Sequence, residues 1–82
     1  MPLVLIKAVE NIFTEEQKGE LIRRVTDAVV AVDGERTRPI TWVVLEDVKA
    51  GEWGIGGELI RPEHVKAIRD GSLRLSDALK LD

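Results

Sequence analysis

The chain has no cysteine and a single histidine, His64. Disulfides, thiolate nucleophiles and thiolate metal sites are therefore excluded, and one imidazole does not make a zinc cage. Aromatic residues are scarce too. Phe13, Trp42 and Trp53 are the whole set, too few for a platform on which single-stranded bases stack. There are 12 basic residues against 15 acidic ones, a net charge of −3, whereas a phosphate backbone calls for a basic surface. No apolar run approaches the roughly 20 residues of a membrane-spanning helix. Lys7 and Glu10 break the first apolar stretch before it reads as a secretion signal. The expectation from these absences is a cytoplasmic protein with no metal, no nucleic-acid partner and no membrane partner.

What remains is a chain of 82 residues, 44% hydrophobic and 33% charged, the balance of an ordinary folded domain. We expect a single domain over residues 1–82. A chain this short buries a modest share of its surface, and without disulfides or metal the expected reinforcement is self-association.

Leu3 to Val9 is an apolar, β-branched run of strand length whose apolar residues fall on both parities, so both of its faces call for cover. Thr14 stands three residues before Gln17, the spacing of a capping box, with Glu15 and Glu16 at the positive end of the helix it opens. Leu21, Ile22, Val25, Ala28, Val29 and Val32 then recur at helical spacing, and Asp33-Gly34 supplies the stop. Pro39 leads into a second apolar run, Ile40 to Leu45, which reads as a strand. Strand, helix, strand with short links is a βαβ unit. Glu46 to Gly51 reads as a polar turn. Glu52 to Leu59 is too rich in glycine for a helix and reads as a tight turn or short hairpin. Pro62 suits a helix start and Gly71 its end, and Ser72 is placed to cap a last helix through Leu81. One helix covers one face of two strands, so the other face must meet the C-terminal helices or another subunit.

Pro2 has two readings. It follows the start codon and nothing more, or it becomes a free secondary amine once Met1 is removed. An α-amino group titrates near pH 7.7–8.0 in water and lower among apolar walls, which makes it a general base near neutrality.

Met1-Pro2 before an apolar strand, then Thr14-Glu15-Glu16-Gln17-Lys18 with Leu21-Ile22, then Gly51-Glu52-Trp53-Gly54-Ile55-Gly56-Gly57-Glu58-Leu59, resembles the 4-oxalocrotonate tautomerase family. The resemblance covers roughly residues 2 to 60. It implies an α/β fold: a βαβ tautomerase-like unit with a glycine-rich hairpin, assembled as a homo-oligomer built from dimers and commonly a hexamer. Residues 61–82 form a C-terminal helical extension to that core. The resemblance also implies a cofactor-free isomerase acting on a small enol or keto acid, with Pro2 as catalytic general base and then acid. Trp53 stands where members carry an aromatic wall beside the proline.

Two positions depart from the family. The arginine of the loop before the helix is replaced among Asn11, Ile12 and Phe13, and the arginine of the second strand aligns with Trp42. A guanidinium pairs with a carboxylate in a way that Ile or Trp cannot reproduce. The substrate-binding candidates are accordingly Phe13, Trp42 and Trp53, with Arg61 as the favoured substitute cation over Lys7, Arg36 and Arg38. Hydration, dehalogenation or decarboxylation by the same amine, and a non-catalytic oligomeric scaffold, are the alternatives. The lone His64 reads as a helix-surface residue, Ser72 and Ser76 lack a plausible base, and the Gly54-Ile55-Gly56-Gly57 stretch reads as hairpin.

Overall fold

A computed structural model describes residues 1–78 of the chain. Strand β1 runs Leu3–Val9, helix α1 Glu15–Asp33 and strand β2 Trp42–Val48, with β1 and β2 paired in a two-stranded sheet. The bonds flanking this ladder join Trp42 N–H to the Pro2 carbonyl at one end and Glu10 N–H to the Val48 carbonyl at the other. The strands therefore run parallel, with α1 as the crossover. This is the βαβ unit the sequence predicts.

Contacts divide the chain into two compact units. The first comprises Met1–Lys7 and Phe13–Glu46. Helix α1 starts on the predicted capping box: Gln17 N–H donates to Thr14 Oγ1 at 3.1 Å, and Thr14 N–H donates to Gln17 Oε1 at 2.9 Å. Two of the four orphan donors of the first turn are thereby satisfied. Val30 is the buried residue of the helix, with Ile22, Val25, Thr26 and Val29 half-buried around it. The expected stripe is thus rotated, and Val32 is 91% exposed. Arg24 reaches Glu20 at 2.8 Å on the outer face, which offsets the basic doublet.

The stretch before β2 corrects the sequence reading. Glu35–Ile40 is a 3₁₀ helix containing Pro39, so Ile40 belongs to it and the strand begins at Trp42. Proline fixes φ near the value a 3₁₀ turn uses, and Thr37 and Thr41 brace the turn through hydroxyl bonds to the carbonyls of Gly34 and Thr37. Arg38 ties it back to α1, with Nη1 on Asp27 at 2.8 Å and Nε on Glu35 at 2.7 Å. The strand also continues through Glu46 and Asp47 to Val48, where a polar turn was expected. Glu46 is stranded there as the partner of Lys7 on β1, 3.6 Å away. Along both strands exposure alternates: Val4, Ile6, Val43 and Leu45 are half-buried, while Leu3, Leu5, Trp42 and Val44 are exposed.

The second unit comprises Ala8–Ile12 and the chain from Asp47 onward. Val9 and Ile60 are its buried centre, with Ile12, Trp53 and Val65 packed against them. The hairpin is real and short: β3 (Gly54–Ile55) pairs antiparallel with β4 (Glu58–Leu59). Gly56 and Gly57 form its two-residue turn at φ +60 and +87, the left-handed region such a turn requires. Helix α2 spans Pro62–Arg69 with proline in the first turn, as predicted. Arg61 N–H donates to His64 Nδ1 at 3.1 Å. Helix α3 is Leu75–Ala78. Ser72 does not cap it: its N–H donates to Asp70 and its hydroxyl to the Ala67 carbonyl, so it closes α2 instead. The expected end of the last helix at Leu81, and the apolar Leu79 and Leu81, lie outside the described residues.

Candidate active site

Pro2 occupies the residue before β1, where a missing N–H costs the ladder nothing. Its carbonyl accepts from Trp42 N–H at 3.0 Å, so the proline is pinned to the start of β2. Pro2 shares a groove of about 670 Å³ with Met1, Ala28, Val29, Val32 and Asp33. The far wall is the last turns of α1, which explains why Ala28 and Val32 stay off the buried stripe. Asp33 is the one charged side chain lining the groove among the described residues. The last turn of α1 carries no basic residue, so the negative end of the helix and a carboxylate stand together there. An amine at Pro2 would thus face apolar walls and one anion.

A family model described as a tautomerase enzyme matches residues 2–62. The chain belongs to the tautomerase family. It is 36% identical over 67 residues to a probable tautomerase of Dickeya dadantii, covering 82% of this chain and 98% of the relative. A probable tautomerase of Campylobacter jejuni is 37% identical over 67 residues, covering 82% and 97%. Among solved structures, an unfused 4-oxalocrotonate tautomerase in its apo form superimposes with a TM-score of 0.64 at 28% identity, covering 72% of this chain and 93% of that one.

The other candidate residues of this tautomerase-family chain are distributed as follows. Trp42 is adjacent to Pro2 through the backbone, with its side chain 54% exposed. Phe13 lies in the same unit but lines a separate groove with Gln17, Glu20, Leu21 and Arg24, beside the first half of α1 rather than its end. Trp53 belongs to the second unit, packed on Val9 and Ile60, and its carbonyl accepts from Ile60 N–H at 2.8 Å. Arg61 is exposed in that unit, ahead of α2, with its guanidinium beside Gly51. Of the alternative cations, Lys7 and Arg38 are engaged with carboxylates, and Arg36 is exposed.

Sequence reasoning missed Ala28, Val29, Val32 and Asp33 as neighbours of Pro2. The first three were read as core and Asp33 as a helix stop. A parallel βαβ crossover carries its helix antiparallel to both strands, which brings the helix's last turn toward the residue entering the first strand. That geometric signal was available. Among the described residues no helix is long and apolar enough to cross a membrane, and none groups three side chains suited to a metal.

Proposed function

We propose that the protein is a cofactor-free tautomerase that moves a proton within a small enol or dienol acid, with Pro2 as the base and then the acid. The reading requires Met1 to be removed, because the Pro2 nitrogen is an amide while Met1 is attached. Freed, the neutral amine takes the enol O–H proton as the carbonyl forms. That carbonyl forms as the electrons of the carbon–carbon double bond collect the same proton from the prolinium at carbon, so O–H and C=C are exchanged for C=O and C–H. The product is the isomeric ketone, and the amine returns to its starting state.

The observation that carries this reading is the position of Pro2 in a groove walled by Ala28, Val29 and Val32. The apolar walls disfavour an ammonium and favour the neutral base, while Asp33 and the carbonyl end of α1 act in the opposite sense. The family match over residues 2–62 supports it. The exposed apolar row Leu3, Leu5, Trp42 and Val44 supports a homo-oligomer in which another copy covers that sheet face. Trp53, Phe13 and Arg61 would complete the site from neighbouring copies.

The test is ketonisation of phenylenolpyruvate and of 2-hydroxymuconate, followed by ultraviolet absorbance, on protein whose intact mass shows Met1 gone. A rate well above buffer that collapses in Pro2→Ala is expected. Equal rates for the parent and Pro2→Ala would overturn the assignment of Pro2. No rate above buffer with either enol would overturn tautomerase activity.

A further inference from the structure

We propose that Asp33 determines substrate specificity in the Pro2 groove: it turns away substrates that bring a carboxylate to the end of α1 and so selects enol acids whose far end is uncharged over dicarboxylates. The inference rests on the reading of Pro2 as the base, and deepens it.

Three observations carry it. Asp33 is the one charged side chain lining the groove among the described residues, so once Met1 is removed an incoming anion meets a carboxylate at the end of α1 and no side-chain cation beside it. The end of α1 adds to the same sign, because its last turn holds no Lys, Arg or His and its terminal carbonyls carry partial negative charge. Finally, the Asp33 side chain has no hydrogen-bond or ion-pair partner among the described residues, whereas Asp27, two turns earlier on the same helix, is neutralised by Arg38 at 2.8 Å. The carboxylate at the groove has no such cation. Ala28, Val29 and Val32 beside it offer only apolar surface, which suits an aryl or alkyl end. A monoacid enol can enter with that end toward α1 and its carboxylate directed away. A dicarboxylate has no such orientation.

The test compares kcat/KM for 2-hydroxymuconate, a dianion, with that for phenylenolpyruvate, a monoanion, using protein freed of Met1. Asp33→Asn is expected to raise the dianion-to-monoanion ratio by about three- to tenfold, the effect of removing one unit charge several ångströms away in a partly aqueous groove. Asp33→Lys should raise it further, and Asp33→Glu should hold the parent ratio. Added salt should narrow the gap between the parent and Asp33→Asn. Glu16→Gln, the same charge change at the opposite end of α1, should leave the ratio at the parent value. Circular dichroism verifies that each variant is folded. An unchanged ratio in Asp33→Asn and Asp33→Lys, with activity still abolished by Pro2→Ala, overturns the role of Asp33 and leaves the base intact. Equal rates in the parent and Pro2→Ala overturn the base itself. A ratio that moves equally in Glu16→Gln overturns the local origin of the effect, since overall charge would then explain it.

Discussion

Trp42 donates its backbone N–H to the carbonyl of Pro2 across 3.0 Å. The bond is made by main-chain atoms, so it holds the two residues side by side whatever side chain stands at position 42. That side chain is half exposed. Trp42→Arg therefore preserves the strand pairing and places a guanidinium at the strand position bonded to the proline. It is expected to raise kcat/KM for 2-hydroxymuconate by about tenfold, equivalent to ~1.4 kcal/mol from a charge-assisted contact. Steady-state absorbance assays check this; no gain on the dianion would remove the argument that a cation at position 42 aids dicarboxylate turnover.

The capping box at Thr14 and Gln17 gives a second expectation. Thr14→Ala leaves the Gln17 N–H without its acceptor and should cost about 1 kcal/mol. For a chain of this size the thermal midpoint should fall by about 4–8 °C. A melt at fixed protein concentration reads the shift, and Thr14→Ser should recover most of it.

Two glycines should respond in opposite directions to alanine. Gly57 sits at φ +87 with open space around a built Cβ, so Gly57→Ala is costly through backbone conformation alone, by about 1–2 kcal/mol. Gly19 lies within α1, and its Cβ would meet only the flexible guanidinium of Arg23 at 3.2 Å. Gly19→Ala should stabilise the helix by up to ~1 kcal/mol. Denaturant midpoints distinguish the two signs.

Acid should weaken the ion pair between Arg38 and Glu35 within the 3₁₀ helix. A hydrogen bond from Arg38 holds the Glu35 carboxyl below its ordinary value. A carboxyl whose pKa is lower folded than unfolded adds stability above the ordinary carboxylate range and loses it as pH falls through its folded value. The stability difference between the parent and Glu35→Gln should accordingly be present at pH 7 and close as the solution is acidified below the usual carboxylate range. Chemical denaturation at several pH values checks it. Glu35 is fully exposed, so the difference should be small and sensitive to salt.

The apolar core in the second unit is small enough for one residue to matter. Ile60 is 5% exposed against Val9, and Ile60→Ala should cost about 2–5 kcal/mol. Loss of the hydrogen-exchange protection of Ile60 N–H, the donor to Trp53, should accompany it.

Local signals were legible where a short-range physical rule decides the outcome. The limits of β1, the Thr14 cap and the Asp33-Gly34 stop follow from periodicity and hydrogen-bond chemistry within a few residues. So do the glycine turn and the proline start of α2. The start of β2 was misplaced because Ile40 looks like strand by side-chain type, while Pro39 and two threonine hydroxyls commit it to a 3₁₀ turn. Glu46 and Asp47 looked like a turn because they are polar, yet an outward strand position with Lys7 opposite accepts a carboxylate. Of the residues lining the groove, the sequence singles out Pro2 as a site candidate and none of the others. Its neighbours Ala28, Val29, Val32 and Asp33 are 26 to 31 residues away in sequence, and their proximity is a property of the crossover rather than of any motif.

The parallel pairing has a kinetic consequence. Pro2 and Trp42 are 40 residues apart, so their bond forms only after the intervening chain has closed, at an entropic cost on the order of 3 kcal/mol before any ladder contact offsets it. Helix α1, opened by its own local cap, shortens that span and is the natural first step. The surroundings of the proline should therefore be assembled late in folding, after the helix, and a mutation that slows α1 should delay the arrival of activity on refolding more than the arrival of helical signal.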